Sequence, residues 1–170
     1  IKGIFLELNT VGAGYAVAED IRNALLDFKE SGKFIIAYSE FYSEGAYYVA
    51  SVSDTIITNP DYGLIEFNGL SANMLYLKGT FEKLDLEPLI FRTGDYKSAI
   101  EPFINEKMSD EAREQTTEYI QGIYQYMLRA IADSRGMEYE KARQISDEML
   151  VRKPEDALKH GLVDMLGYRD

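Results

Sequence analysis

Among the residues of this chain, Lys97 has the sequence neighbours that best suit acid–base chemistry. It lies in the stretch 94–103 and is followed by small and apolar residues. A lysine acts as a general base only when it is neutral, and burial among apolar groups lowers its pKa from about 10.4. The same stretch also fits a surface lysine on the first turn of a helix, paired with Asp95 or Glu101. Composition alone favours the surface lysine, so both interpretations stay open at this point.

A general base needs a nucleophile, and the sequence around Lys97 does not supply one. Ser98 is adjacent to the lysine, and adjacent side chains on a helix diverge. The other candidate serines have no activating group beside them in the sequence: Ser43, Ser51, Ser53 and Ser71.

Composition excludes several other kinds of site. The 170 residues include no cysteine and one histidine, which excludes disulfides, thiolate nucleophiles, Cys-bound zinc and His-rich metal sites. That histidine, His160, lies in the predicted last turn of a short helix, where a cation is favourable. A net charge of −11 argues against nucleic-acid binding. We therefore expect no metal, no cofactor and no nucleic-acid partner.

Two segments could present backbone N–H groups to a developing negative charge. The first is the loop Val11–Gly14, with Gly12 and Gly14, which follows a predicted strand. The second is Glu44-Gly45, at the start of a short predicted helix. A tight turn is the ordinary alternative for the loop. The nearby tyrosines are typical of core or interface aromatics: Tyr38, Tyr42, Tyr47 and Tyr48.

Strand and helix patterns alternate along the chain. Apolar and β-branched runs predict strands at 3–8, 33–38, 55–58, 64–67 and 88–92, with 162–164 as a small strand or hook. Helical spacing predicts helices at 19–30, just after Glu44, and at 76–84, 109–135, 138–147 and 154–161. Alternation of this kind indicates an α/β fold with mostly parallel strands and flanking helices, one of them long and near the C-terminus. No linker or repeat interrupts residues 1–170, so we expect one domain.

The stretch Phe91–Phe103, followed by Met108–Glu114, resembles the lysine-bearing segment of the signal peptide peptidase A (protease IV) family. The resemblance covers nearly the whole chain. It implies a Clp protease/crotonase-like fold and a serine endopeptidase with a Ser/Lys dyad. Lys97 would be the general base, and Tyr96 and Ser98 would shape the site beside it.

The chain departs from the family at the nucleophile. Single-domain members carry Ser-Gly-Gly-Tyr, whereas this chain has Glu44-Gly45-Ala46-Tyr47. The glycine loop also departs, since Gly12 and Gly14 stand where active halves have a Pro-Gly-Gly type of turn. Long members of the family are two tandem copies of the fold, and this chain resembles the first. Its opening, Ile1-Lys2-Gly3-Ile4 without Met, is typical of a fragment.

The resemblance therefore implies an enzyme whose nucleophilic serine comes from a C-terminal domain absent here, so this fragment alone would be inactive. Its substrates would be cleaved signal peptides, in the bacterial cell envelope on the extracytoplasmic side. An anchor outside this chain would hold it at the membrane, and long chains would form a homo-oligomer, a tetramer. Two alternatives remain. One is a non-catalytic assembly domain using the segment 38–48 as an interface, and the other is a crotonase-type acyl-CoA binder.

Overall fold

The computed structural model describes residues 1–89 and 98–169. Two compact units are present: unit 1 comprises residues 1–69 together with the chain from Tyr124 onward, and unit 2 comprises Leu70–Ile123. Whether residues 1–170 form one domain in the sense predicted above stays a prediction. Among the described residues, no helix combines the length and apolar character needed to cross a membrane.

Unit 1 is built on a four-stranded parallel sheet. Its strands are β1 (Gly3–Glu7), β2 (Phe34–Ser39), β4 (Thr55–Thr58) and β6 (Met165–Leu166), in the order β1-β2-β4-β6. A second, two-stranded parallel sheet pairs β3 (Phe41–Tyr42) with β5 (Leu64–Ile65). The predicted α/β class with parallel pairing is thus confirmed.

Helices connect these strands and pack beside the sheet. They are α1 (Tyr15–Glu30), α2 (Glu44–Ala50), α6 (Tyr139–Asp147), α7 (Pro154–His160) and residues 124–134 of α5 (Asp110–Ser134). The predicted ends of α7 are confirmed. Pro154 is the first residue of α7, a position where a backbone N–H would have no partner within the helix. Gly161 ends the helix with φ +79°.

The core of unit 1 is rich in tyrosine. Tyr42, Tyr47 and Tyr48 are at most 2% exposed. The Tyr47 ring meets the rings of Tyr42 and Phe67 edge-on, and its hydroxyl donates to the Leu162 carbonyl at 2.6 Å. The suggestion that the segment 38–48 forms an exposed interface is therefore wrong, because its tyrosines fill the core.

Arg22 lies on the buried face of α1 and links this helix by hydrogen bonds to α2 and α5. Its guanidinium donates to the Tyr48 carbonyl at 2.8 Å and to Ser51 Oγ at 2.7 Å. It also donates to the Ala130 carbonyl at 2.7 Å and to Ser134 Oγ at 2.6 Å. Only 5% of the residue is exposed, and burial lowers its pKa. Four partners satisfy a cation that would otherwise be costly to bury.

Unit 2 contains α3 (Lys78–Lys83), a 3-10 helix (Ser98–Ile100), α4 (Glu101–Ile104) and residues 110–123 of α5. Ser109 caps α5 by accepting the Ala112 N–H at 3.1 Å, which confirms the predicted cap. The buried Glu101 carboxylate accepts both the N–H and the hydroxyl of Ser109, at 3.0 and 2.6 Å. This pair fixes the start of the long helix.

Several predicted bounds were wrong. α1 begins at Tyr15, before the predicted Glu19, and β5 ends at Ile65 instead of Phe67. The C-terminal strand is Met165–Leu166, while Leu162 and Val163 are buried before it without strand pairing. Pro88 and Leu89 are not in a strand, and the remainder of the predicted strand 88–92 lies outside the described residues.

Candidate functional site

The predicted site is described only in part. Lys97 and Tyr96 lie outside the described residues, so the role of the lysine and its pairing with Asp95 or Glu101 stay predictions. Ser98, in unit 2, is partly exposed and opens the 3-10 helix Ser98–Ile100. The other four candidates all belong to unit 1: Gly12, Gly14, Glu44 and Gly45.

In unit 1 the glycine loop and the start of α2 lie against each other. The Ser43 N–H donates to the Asn9 carbonyl at 3.0 Å. A Cβ added at Gly45 would stand 3.8 Å from Val11 Cβ, an ordinary van der Waals contact. The two segments that could present backbone N–H groups are thus neighbours, at the ends of β1 and β3.

Neither glycine of the loop is required by local geometry. A Cβ at Gly12 or at Gly14 would meet no atom within 4 Å. Gly14 precedes α1 with φ −66°, which any residue adopts. The loop therefore has open space around it, and nothing within unit 1 explains its glycines by crowding or by backbone strain.

Glu44 is the polar centre of this region. It is the first residue of α2, and its Oε1 accepts the Gly69 N–H at 2.7 Å and the Asn68 N–H at 3.2 Å. Gly69 adopts φ +92°, a conformation that favours glycine. Two successive N–H groups pointing at one oxygen form an anion-binding turn, here occupied by the chain's own carboxylate.

Burial first, and the Glu66 carboxylate after it, raise the pKa of Glu44 to about 7 against the opposing effect of the Gly69 and Asn68 N–H groups. The pKa values of Tyr15 and Tyr124 are also raised. Burial is the largest cause for both phenols, and the Glu44 charge is a further cause. With a pKa of about 7, this carboxylate is half-protonated near neutral pH.

The serines of unit 1 are committed to structure. Ser43 Oγ caps α2 by accepting the Ala46 N–H at 3.3 Å. Ser51 is fully buried, donates to the Tyr48 carbonyl and accepts from Arg22. Ser53 is 5% exposed and so cannot reach a substrate without rearrangement. Of the described candidates only Ser71, in unit 2, is exposed.

Unit 2 contains a groove of about 430 Å³ beside the first half of α5. One cation, Arg113, and threonine hydroxyls stand among its apolar side chains. Its lining residues are Leu70, Ala72, Met108, Arg113, Thr116, Thr117, Ile120 and Gln121. A mixed lining of this kind suits an apolar side chain attached to a polar peptide backbone.

Within residues 1–89 and 98–169, no three His, Asp or Glu side chains come close enough together to hold an ion. The ionisable group at the centre of the unit 1 site is a carboxylate that already accepts two N–H donors.

The family profile described as peptidase family S49 matches residues 27–170. The chain belongs to this family. It is 37% identical over 142 residues to Protease 4 of Haemophilus influenzae, and 37% identical over 174 residues to Protease 4 of Salmonella typhi. It is 29% identical to an Arabidopsis thaliana protein named "Serine protease SPPA, chloroplastic". The predicted relationship to signal peptide peptidase A is confirmed.

The chain spans only part of these relatives. The match to the H. influenzae protein spans 83% of this chain and 23% of that protein. The match to the S. typhi protein spans 98% of this chain and 28% of that protein. The chain covers 48% of a putative signal peptide peptidase SppA of Enterococcus faecium, to which it is 23% identical.

The fold is also found among solved structures. A mutant of the 1510-N membrane-bound stomatin-specific protease matches the whole of this chain and 66% of its own, with a TM-score of 0.55 and 19% identity. This likeness shows the fold alone, and the Clp protease/crotonase-like class predicted above is confirmed.

The contacts of Glu44 could not be foreseen from its position in the sequence. Asn68-Gly69 was the available signal, because an Asn-Gly pair is typical of a turn. Nothing in the sequence indicates which acceptor such a turn would receive. That contact joins residues 24 and 25 positions apart and exists only once β3 and β5 have paired.

Proposed function

We propose that this chain is the lysine-bearing part of a longer serine endopeptidase that degrades cleaved signal peptides in the bacterial cell envelope. Lys97 serves as general base, and a serine from a C-terminal domain of the same polypeptide is the nucleophile. The lysine removes the proton from that serine as it attacks a peptide carbonyl, and returns a proton to the leaving amine.

One observation carries this proposal: in a chain of this family, the start of α2 holds a carboxylate in place of a hydroxyl. A carboxylate cannot form the ester intermediate of serine peptidases, and this one accepts the N–H groups of Asn68 and Gly69. The candidate serines of unit 1 cap a helix or are buried: Ser43, Ser51 and Ser53. This supports a nucleophile from another part of the polypeptide, and relatives about four times as long supply the room for it.

Replacing Lys97 with Ala in the full-length protein tests the proposal. We expect peptide hydrolysis to fall by at least about 10³-fold, on the order of the loss of a dyad or triad member. Lys107→Ala is the matched control, since Lys107 is exposed and ten residues away. Near-normal turnover of the Lys97→Ala enzyme would sink the assignment and favour the non-catalytic assembly role. Size-exclusion chromatography of both variants would show whether assembly into the proposed tetramer is intact.

The remainder of the proposal concerns partners. Peptide substrates would lie along the site built by both halves, with apolar side chains of the type that fits the groove in unit 2. Anchoring at the membrane would come from a segment outside these 170 residues. Reading the complete open reading frame tests the anchor and the nucleophile, because it would show an apolar membrane-spanning segment and a downstream Ser-Gly-Gly-Tyr stretch.

A further inference from the structure

The strand order of the main sheet determines which of its faces is covered. The strands β1, β2, β4 and β6 are parallel and follow one another across the sheet in chain order, so every connection moves in the same direction. Parallel connections are right-handed in about 98% of cases. Right-handed connections that all move one way place the unit 1 helices within them on the same face. We therefore expect the opposite face to receive no described helix of unit 1 from these connections.

Burial agrees with this geometry on the helix-covered face. Ile35 and Ala37 of β2 point to that face, as do Ile56 and Thr58 of β4, and all four are fully buried. We call this the covered face.

On the other side, here called the open face, the register brings together large apolar side chains. Phe34 lies beside Gly3 and Phe5 beside Ile36, whereas Met165, beside Ile57, lies at the level of Tyr38. Phe5 is 57% exposed, Phe34 52% and Met165 48%. The open area ends towards the C-terminal end of β2, where Tyr38 on the same face is 3% exposed.

An open apolar face is unusual for a parallel sheet. Such sheets occur almost only with helices on both faces, and contiguous exposed apolar patches mark interaction sites. The ring of Phe34 lies across Gly3, where an added Cβ would stand 2.4 Å from it, so the ring closes over β1 instead of pointing away from the sheet.

We propose that the open face binds an amphipathic helix supplied by the part of the same polypeptide that lies outside these 170 residues. Two observations favour this occupant. The Protease 4 relatives place more than two thirds of their length outside the matched region. A parallel sheet is completed by helices, whereas packing against the sheet of a second copy is typical of antiparallel sandwiches. The proposal does not depend on the role of Lys97.

A photo-crosslinking residue at Phe34 in the full-length protein tests this proposal. After irradiation and proteolysis, mass spectrometry should find Phe34 joined within the same chain to a peptide from outside residues 1–170. Labelled positions in that peptide should recur at helical spacing of three or four residues. The control probe replaces Leu158, an apolar and 42% exposed side chain on α7. It should not label the same peptide.

Three outcomes would overturn the proposal. A crosslink between two chains would identify a second copy as the occupant, and a lipid adduct would identify the membrane surface. Unreacted or water-quenched probe would show that the face is exposed to solvent. As a second variant, Phe5→Glu in the Phe34-probe protein should reduce the intramolecular crosslink to a minor fraction. Leu158→Glu in the same background should leave it unchanged. Equal yields in both would show that the open face does not hold the labelled peptide.

Discussion

The two faces of the four-stranded sheet carry similar side chains and differ in their surroundings. Ile35 and Ile56 on the covered face are fully buried, whereas Phe5 and Phe34 on the open face are more than half exposed. All four belong to apolar runs of the kind that predict strands. We attribute the difference to the handedness of the connections, which favours unit 1 helices on one side of the sheet. Hydrophobicity along a strand therefore does not by itself tell which side this chain covers.

The helix layer over the covered face should depend most on Arg22. We expect Arg22→Met to lower the free energy of unfolding by about 4 kcal/mol, because four hydrogen-bond partners lose a charged donor inside unit 1. Urea unfolding followed by circular dichroism measures the change. Arg143→Met is the control, since its only described pair is an exposed one with Asp147. Comparable losses in both variants would contradict the role of Arg22.

Matched truncations on the two faces compare them directly. Ile35→Ala should cost about 3 kcal/mol, because it leaves a cavity in a closed core. Phe34→Ala removes a larger side chain, yet in the 170-residue chain it should cost less than about 1 kcal/mol, because the ring is half in solvent. Urea midpoints of the two variants give the comparison. Equal losses would mean that the open face is packed in solution.

Two glycines with the same close approach compare a contact to backbone with a contact to a ring on the open face. A Cβ at Gly63 would lie 2.4 Å from the Asn59 carbonyl oxygen, whereas a Cβ at Gly3 would lie 2.4 Å from the Phe34 ring. Backbone cannot move aside, but an exposed ring can rotate. We expect Gly63→Ala to cost about 2 kcal/mol and Gly3→Ala about 0.5 kcal/mol or less. A larger thermal destabilisation by Gly3→Ala would show that the ring is held in place.

Glu44 supplies the smallest and most pH-dependent effect. Its pKa is raised from 4.5 to about 7, so the folded state binds more protons than the unfolded state between these values. Its contribution to stability therefore falls as pH rises from about 4.5 to about 7, and the cost stays constant above that range. The Glu44→Gln variant keeps an oxygen acceptor for Asn68 and Gly69 but has no charge.

We expect Glu44→Gln to be more stable than the parent at pH 8 by on the order of 1 kcal/mol, and about equal to it at pH 4.5. Urea unfolding across this range measures the difference, and Glu40→Gln, on an exposed residue, is the control. A difference between Glu44→Gln and parent that does not change with pH would contradict the raised pKa.

Local signals predicted much of the fold. β4 has the predicted bounds, Ser109 caps α5, and Pro154 and Gly161 frame α7, because caps and turn residues act over a few positions. β3 was missed, since a two-residue strand has no periodicity. The early start of α1 was missed because Gly14 precedes it without any side-chain cap. The extent of β6 depends on pairing with β4, which no local pattern reports.

For the candidate site, too, local features could be predicted from the sequence and tertiary contacts could not. That Glu44 and Gly45 open a helix could be predicted from the residues, and so could the existence of a glycine loop before α1. Their adjacency could not, because the contacts from Ser43 to Asn9 and from Glu44 to Gly69 are made by tertiary structure. Burial of Arg22 was likewise invisible, since a single arginine on an amphipathic helix is ordinarily exposed.

The position of β6 has a consequence for the timing of folding during synthesis. β6 completes the sheet beside β4, and the Asp164 carboxylate that accepts the Ile56 N–H at 2.8 Å is 108 residues further along the chain. On a ribosome, β1, β2 and β4 emerge long before their fourth partner. The outer edge of β4 therefore stays unpaired until more than 100 further residues have been made, and for that time it is open to pairing with other strands.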